Sequence, residues 1–279
     1  MSRSDYIINT YAFTLTHTAK QALETLSHLG FDEFELMMYP GHIWPNEMDA
    51  GAVRKFKSYL ADAGLKIRSL NQPNIDINLA GATPEMREYS IANLAGITRL
   101  AGELGAKGVV IGPGKVNPLM PMSREKLDGH FYRALDVLLP IANEAGVMLL
   151  VENMPFAYLS DIKSLLEVVD RYGADEIAII YDLANGSFIK EDVGAALKLC
   201  RSRLKLIHVS DTGPTAYKHD AVGLGTMDFS KLLGDLKAAS WDDRPVLEII
   251  GISEDPTREI LDTIDRLTAV GWAGQFGGK

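Results

Sequence analysis

Residues 143–152, NEAGVMLLVE, contain the pattern that decides the fold. An amphipathic helix ends at Gly146, an apolar strand follows directly, and the strand ends on Glu152. Glycine at a helix C-cap relieves the strain of the left-handed conformation. A continuously apolar strand is typical of a parallel sheet that is covered on both faces. The same join recurs in HLGFDEFEL (28–36), DAGLKIRSL (62–70), ELGAKGVVI (103–111) and RYGADEIAII (171–180).

Eight such strand–helix units can be placed along the chain. The predicted strands are Tyr6–Asn9, Phe34–Met38, Lys66–Leu70, Gly108–Ile111, Met148–Glu152, Ile177–Asp182, Leu204–Val209 and Val246–Ile249. The predicted helices are Thr18–Leu29, Ala50–Ala63, Pro84–Leu104, Arg124–Glu144, Ser160–Arg171, Asp192–Arg201, Phe229–Ala239 and Pro256–Thr268. Eight units in a chain of 279 residues predict an α/β fold. The predicted architecture is a (β/α)₈ TIM barrel that forms a single domain over residues 1–279. A doubly wound open sheet is the alternative, but no G-x-G-x-x-G fingerprint follows the first strand.

Composition and charge narrow the range of partners. The net charge of −9 and the pI of about 5.2 argue against a nucleic-acid partner, which usually requires a basic surface. Cys200 is the single cysteine, so no internal disulfide can form. The first residues lack the apolar core of a signal peptide, and no apolar run is long enough to span a membrane. We therefore expect a cytoplasmic protein with no membrane partner.

Four consecutive predicted strands end on a side chain that can bind a metal. These residues are Glu152, Asp182, His208 and Glu248, separated by 30, 26 and 40 residues, which is about one strand–helix unit each. In a barrel, the carboxyl ends of the strands converge on one mouth, where active sites lie. Because strand side chains alternate, the residues two positions earlier should also point inward. They are Leu150, Ile180, Leu206 and Val246, all apolar, as a packed interior requires.

Three carboxylates at one mouth repel each other unless a cation binds them. A single buried acid at a strand end is often only a salt-bridge partner, but four successive ligands favour a metal site. The mixed oxygen and nitrogen set suits one divalent ion, Mn²⁺ foremost, with Mg²⁺, Co²⁺ or Zn²⁺ possible.

The segments around these four residues resemble a known family. They are VENM (151–154), YDLAN (181–185), HVSD (208–211), Lys218-His219, GLGTMDF (223–229) and LEI (247–249). In this order they are similar to the xylose isomerase-like TIM barrel superfamily, in its sugar phosphate isomerase/epimerase branch. That branch includes ketose 3-epimerases, hydroxypyruvate isomerase and inosose dehydratase, and endonuclease IV is a relative.

The resemblance implies a metal-dependent sugar isomerase or epimerase acting on a small ketose or keto sugar. It implies that Glu152, Asp182, His208 and Glu248 bind one divalent metal, and that Glu152 and Glu248 are also the acid–base pair. The ion would polarise the carbonyl, one glutamate would remove the neighbouring proton to give a cis-enediolate, and the other would return a proton. It also implies that the protein could form a homo-oligomer.

Other residues are candidates for contacts with a carbohydrate substrate. His219 and Lys218 precede the glycine-rich segment, and Asn185 stands where many relatives have a histidine. Asn71 follows the third strand, and Glu35 on the second strand could point into the barrel as an acid behind the ligands. For each, a purely structural role is the alternative.

Three other functions stay open at this point. A lyase of the same fold, either an inosose-type dehydratase or a 3-oxo-glycoside lyase, would share the enediolate step. An endonuclease IV-like phosphodiesterase is less compatible, because it needs a three-metal cluster and the chain has only six histidines. A non-catalytic barrel would be expected to have lost at least one of the four ligands.

Overall fold

The computed structural model describes residues 5–74, 76–251 and 253–277. Within these ranges, eight parallel strands close into one barrel, with each strand paired to the next and β8 paired to β1. The strands are β1 (Ile7–Asn9), β2 (Glu33–Met37), β3 (Lys66–Asn71), β4 (Gly108–Ile111), β5 (Met148–Glu152), β6 (Ile177–Asp182), β7 (Leu204–Val209) and β8 (Val246–Leu247). The predicted (β/α)₈ TIM barrel is confirmed, and the open doubly wound sheet is excluded.

All eight predicted helices are present, with bounds that differ by at most two residues. The helices are α1 (Ala19–His28), α2 (Ala50–Ala63), α3 (Pro84–Leu104), α4 (Arg124–Ala145), α5 (Ile162–Tyr172), α6 (Leu183–Phe188), α7 (Val193–Cys200), α8 (Phe229–Ala238) and α9 (Pro256–Ala269). Helix α6 was not predicted. Two short 3₁₀ helices, Tyr11–Phe13 and Pro45–Glu47, complete the description. No helix of the described ranges is both long and apolar enough to cross a membrane.

Local signals at the helix ends explain why these elements stop and start where they do. Helices α2, α3, α4 and α5 each end on a glycine in the left-handed conformation, as the sequence predicted. At the other end, the side chains of Asp49 in α2, Thr83 in α3 and Asp161 in α5 accept hydrogen bonds from the first turn; Asp161 Oδ1, for example, accepts from Ser164 N at 2.9 Å.

The barrel interior is packed with small and medium apolar side chains. They are Ile7, Val110, Leu150, Ala178, Ile180, Leu206 and Val246, which form a core separate from the one between the strands and the helices. The four inward positions that the sequence predicted are therefore confirmed. Gly108 makes room for this layer, because a Cβ there would lie 2.7 Å from Leu150 Cδ1.

The apolar layer determines which residues reach the mouth. Side chains two positions further along a strand point to the same face. This rule places the side chains of Asn9, Glu152, Asp182, His208 and Glu248 directly above the apolar layer. All five are buried. The carboxyl end of the barrel therefore holds a layer of polar and ionisable groups on an apolar floor.

Candidate functional site

The four strand-end ligands that the sequence singled out lie together at the mouth. Glu152, Asp182, His208 and Glu248 each offer one donor atom, and these atoms all lie within 4.8 Å of one another. His208 Nδ1 is 3.1 Å from Glu248 Oε2, 3.3 Å from Glu152 Oε1 and 3.8 Å from Asp182 Oδ2. Glu152 comes from β5, Asp182 from β6 and His208 from β7, and Glu248 directly follows β8.

Glu35 fixes the orientation of the His208 ring. His208 Nε2 lies 2.9 Å from Glu35 Oε1, and Ser69 Oγ donates to Glu35 Oε2 at 2.6 Å. Burial acts to raise the pKa of Glu35, but the charge of His208 and the bonds to His208, Ser69 and Asn9 outweigh it and lower the pKa overall. A carboxylate at Nε2 favours the proton on that nitrogen. The Nδ1 lone pair is then directed at the cluster.

Two amide side chains hold one oxygen of Glu248 and leave the other for the cluster. Asn71 Nδ2 donates to Glu248 Oε1 at 2.8 Å, and Asn9 Nδ2 donates to the same oxygen at 3.2 Å. Asn9 also donates to Glu35 Oε1 at 2.7 Å. Asn9, at the end of β1, therefore positions the carboxylates of Glu35 and Glu248. Asn71, at the end of β3, positions that of Glu248.

Asp182 is held by its backbone and by one of its two carboxylate oxygens. The Asn153 amide accepts from Asp182 N at 2.7 Å and donates to Asp182 O at 3.2 Å. Asp182 Oδ1 caps helix α6 by accepting from Asn185 N at 2.6 Å. Asp182 Oδ2 is buried and has no hydrogen-bond partner in the described structure.

The electrostatics of the cluster call for additional positive charge. Burial, followed by the charges of Glu248 and Glu152, raises the pKa of Asp182 well above its usual range. Burial raises the pKa of Glu248 to about 7, although His208 opposes the shift. Burial acts to lower the pKa of His208, but Glu248 and Glu35 outweigh it and raise the pKa. Protons or a cation must therefore compensate these carboxylates.

The residues present fit a divalent metal ion. His208 Nδ1 and Asp182 Oδ2 are buried, lie 3.8 Å apart across the cluster, and make no hydrogen bond of good geometry in the described structure. The same holds for His208 Nε2, whose contact with Glu35 is an ion-pair distance of 2.9 Å. Buried polar atoms without partners carry a large free-energy cost, which a bound ion would remove. Three carboxylates and one imidazole form a mixed donor set that suits first-row divalent ions. We conclude that this group could hold a metal.

A cavity of about 640 Å³ opens onto the cluster. Glu152 and Glu248 both line it, and Tyr11, Asn71 and His219 add polar groups to its wall. Burial, followed by the charge of Glu248, raises the pKa of Tyr11, which keeps its hydroxyl protonated. The size and the mixed lining are those of a small-molecule site.

His219 lies beside the cluster and is held by two hydroxyl groups. Its Nδ1 lies 3.0 Å from Ser210 Oγ, and its Nε2 lies 2.9 Å from Tyr217 Oη. Burial, followed by the charge of His208, lowers the pKa of His219 to about 3, so the ring is neutral. Nδ1 is 3.5 Å from both Asp182 Oδ2 and Glu248 Oε2.

Of the residues predicted to contact a substrate, some line the cavity and others do not. His219 and Asn71 line the cavity next to the cluster, while Lys218 lies at the rim with Nζ 3.4 Å from Asp220 Oδ2. Glu35 is fully buried behind His208. Asn185 does not reach the cavity: it is buried, its Oδ1 accepts from Tyr217 Oη at 2.8 Å, and its Nδ2 lies 3.4 Å from Glu152 Oε1. Its observed role is to position other residues.

Several further residues of the site were not predicted, among them Asn9, Tyr11, Asn153 and Tyr217. Asn9 could have been found, because it ends β1 as Glu152 ends β5. Tyr217 stands two positions before His219, and in extended backbone this spacing puts both side chains on one face. Nothing in the sequence distinguishes Asn153 from an ordinary loop asparagine, since its bonds to Asp182 depend on the pairing of β5 with β6.

Solved structures with the same fold include several carbohydrate enzymes. A D-tagatose 3-epimerase-like protein superposes with a TM-score of 0.81 at 18% identity, covering 95% of this chain and 96% of the other. The 3-keto-D-glucoside 4-epimerase YcjR from E. coli gives 0.78 at 19%, covering 96% and 100%. The IolI protein, solved with a bound zinc atom, gives 0.75 at 19%, covering 95% of each chain. Identities this low show a shared fold.

No curated protein matches the sequence. A family model described as xylose isomerase-like TIM barrel matches residues 23–270, which is most of the chain. The family that the strand-end motifs predicted is therefore confirmed by an independent comparison. This chain belongs to the xylose isomerase-like TIM barrel family.

Proposed function

We propose that this protein is a divalent-metal-dependent sugar isomerase or epimerase that acts on a small ketose or keto sugar. One observation carries the proposal: four buried residues offer donor atoms within 4.8 Å of one another, and two of them, Glu152 and Glu248, line a cavity of about 640 Å³. The structural relatives named above as epimerases, and the relative with zinc, support it. Mn²⁺ is the proposed ion, with Mg²⁺, Co²⁺ and Zn²⁺ as alternatives.

Glu152, Asp182, His208 and Glu248 would hold the ion. A bound divalent ion would supply Lewis acidity: it would draw electron density from a substrate carbonyl and make the neighbouring C–H bond more acidic. Tyr11, Asn71 and His219 line the same cavity. Tyr11 offers its hydroxyl to a sugar, whereas Asn71 and His219 would bind a sugar hydroxyl by sharing or exchanging their bonds to Glu248, Ser210 or Tyr217. They would orient the substrate so that its reactive carbon faces the two glutamates.

We assign the acid–base chemistry to Glu152 and Glu248. Both line the cavity, and strands β6 and β7 separate them around the barrel, so their carboxylates approach a ligand from different sides. One glutamate removes the proton beside the carbonyl; the C–H electron pair becomes a C=C bond and the carbonyl π pair moves to oxygen. The other glutamate returns a proton to the opposite face of the same carbon, which inverts it. Return to the former carbonyl carbon, with the hydroxyl proton of the neighbouring carbon passing to the former carbonyl oxygen, gives an isomer.

Proton exchange with solvent tests this assignment. Metal-loaded protein is incubated in D₂O with ketoses, ketose phosphates, hydroxypyruvate, inososes and 3-oxo-glucosides, and products are identified by NMR. We expect deuterium at the carbon beside the carbonyl, together with a new isomer. Glu152→Gln and Glu248→Gln, studied at saturating metal with the metal content measured, should lose at least 100-fold in rate. Glu167→Gln, which changes an exposed glutamate of α5, is the matched control.

Each contrary outcome identifies a different error. An isomer formed without deuterium would indicate either hydride transfer or return of the same proton by one base, and either result would overturn the acid–base pair. Loss of a β-hydroxyl or of an aglycone would move the enzyme to the lyases. No exchange with any compound, by protein carrying one metal ion per chain, would contradict the proposed function.

A further inference from the structure

A second cavity adjoins the proposed active site. It has a volume of about 340 Å³ and shares three lining residues with the larger cavity, namely Asn74, Met154 and Tyr217. A ligand bound at the metal cluster can therefore extend into it without leaving the protein. The loops after β3, β4 and β5 and Tyr217 surround it.

The lining of this second cavity is chemically unlike that of the first. No carboxylate lines it among the described residues. Most of its wall is apolar, with Ile77, Met154, Pro155, Phe156 and Ala157, and Asn74 and Lys115 are the polar lining residues besides Tyr217. Tyr217 contributes mainly its ring, because its hydroxyl already contacts Asn185 Oδ1 at 2.8 Å and His219 Nε2 at 2.9 Å. A sugar ring, which carries a hydroxyl on nearly every carbon, would find few partners here.

Aromatic rings form one side of the cavity. The Phe156 ring lies edge-on to Tyr217, with centroids 5.3 Å apart and an interplanar angle of 87°. Phe188 contacts both, at 6.3 Å from Phe156 and 5.3 Å from Tyr217. Phe156 remains 60% exposed, which is unusual for a phenylalanine packed in an aromatic cluster. Such an arrangement leaves a ring available to a planar apolar group of a ligand.

Hydrogen bonds from the Asn78 side chain and from the backbone fix the part of the wall that the loop after β4 forms. Asn78 Oδ1 accepts from Lys115 N at 2.8 Å, Asn78 Nδ2 donates to Lys115 O at 3.2 Å, and Tyr158 N donates to Gly114 O at 3.0 Å. Gly112 allows the Met154 side chain to pack closely against this loop, because a Cβ there would lie 2.8 Å from the Met154 sulfur. The cavity is therefore preformed, as small-molecule sites usually are.

We infer that this cavity binds the apolar, ring-containing aglycone of a keto-sugar glycoside whose sugar lies at the metal cluster. This inference rests on the proposed function and specifies its substrate class: glycosides with an aromatic aglycone are preferred over free monosaccharides. The aglycone lies against Phe156, Met154 and the Tyr217 ring, and the sugar hydroxyls stay in the polar cavity.

Binding of matched ligands tests the inference directly. Titration calorimetry on the metal-loaded protein compares methyl and phenyl 3-oxo-glucopyranosides, each as both anomers, so that only the aglycone differs. We expect at least tenfold tighter binding of one phenyl glycoside than of its methyl counterpart. Phe156→Ser should reduce this preference to less than threefold without changing the affinity for the methyl glycoside.

Two further variants separate this role from a general effect on folding. Ala157→Phe places a ring in the cavity and should abolish the phenyl preference while preserving methyl glycoside binding. Tyr89→Ser removes an aromatic side chain of α3 that is 67% exposed and does not line either cavity, so the preference should persist. Equal affinities for the two glycosides, no detectable binding of the phenyl compounds, or a preference that Phe156→Ser and Ala157→Phe leave intact would overturn the inference.

Failure of the inference can be told apart from failure of the proposed function. Exchange of deuterium into free keto sugars, with no phenyl preference in binding, would remove the aglycone site and keep the enzyme. A phenyl preference that depends on Phe156, with no exchange in any keto sugar or glycoside, would keep the site and remove the proton-transfer chemistry.

Discussion

Glu35 supports the site by contacting His208, although it does not itself line the cavity. It is fully buried, and its carboxylate lies behind the His208 ring at 2.9 Å from Nε2. The sequence placed it correctly in the barrel, because it lies on β2 near the carboxyl end. Its contact with His208 could not be predicted, since it depends on the closure of the barrel.

We expect Glu35→Gln to lower metal affinity by about 10–100-fold, the usual effect of losing a partner behind a metal ligand. The neutral amide would no longer hold the proton on His208 Nε2. A smaller fraction of His208 would then have Nδ1 unprotonated and able to bind the metal. Competition with a chelator of known affinity measures the change. Unchanged affinity, in a variant whose circular dichroism matches that of the original protein, would contradict this role.

Cys200 gives a second test at the residue scale. It is fully buried at the end of α7, and burial raises the pKa of its thiol to about 12. Because the thiolate is the reactive form, the native protein should not react with a thiol reagent such as DTNB at pH 8, and one thiol should react after unfolding. Rapid labelling of the folded protein would show that α7 is not packed as described.

Among the elements, strands and long helices were predictable and short connections were not. The apolar runs and C-terminal glycines give the eight strands and eight helices within two residues. Helix α6 escaped prediction because its six residues, LANGSF, contain a glycine, an asparagine and a serine, which are weak helix formers. It forms because Asp182 caps it, and Tyr181 and Asp182 precede it on a buried strand.

Asn153, which directly follows β5, holds the end of β6 by hydrogen bonds. Its amide bonds both backbone groups of Asp182, at 2.7 and 3.2 Å. Asn153→Ala would leave these buried groups unpaired, so we expect a loss of about 1–3 kcal/mol in the free energy of unfolding. Urea denaturation measures it, with Asn143→Ala on the exposed face of α4 as control, for which a change within about 0.5 kcal/mol is expected. A similar small change at Asn153 would show that these bonds are not important.

At the scale of the whole molecule, the carboxyl end of the barrel concentrates acidic groups that protons or a bound cation must compensate. The fold followed from the repeated strand–helix units, and the family followed from the motifs around the strand-end residues, which converge in a barrel. The apolar cavity did not follow, since residues from loops after three strands and from the 217 region form it together.

Metal binding should therefore stabilise the folded protein. At a free metal concentration of about 100 times Kd, we expect roughly 2.7 kcal/mol of additional stability. Denaturant titrations with and without Mn²⁺ measure it. Asp182→Asn should lose most of this gain, and Asp265→Asn, which changes an exposed residue of α9, should keep it. Equal midpoints with and without metal would contradict the metal site.

The measurement that tests the central claim most directly is a crystal structure of the Mn²⁺-loaded protein with data collected at an energy where manganese scatters anomalously. The account predicts one strong anomalous peak within bonding distance of Glu152, Asp182, His208 Nδ1 and Glu248. A peak elsewhere, or none at this cluster in protein soaked with excess Mn²⁺, would contradict it.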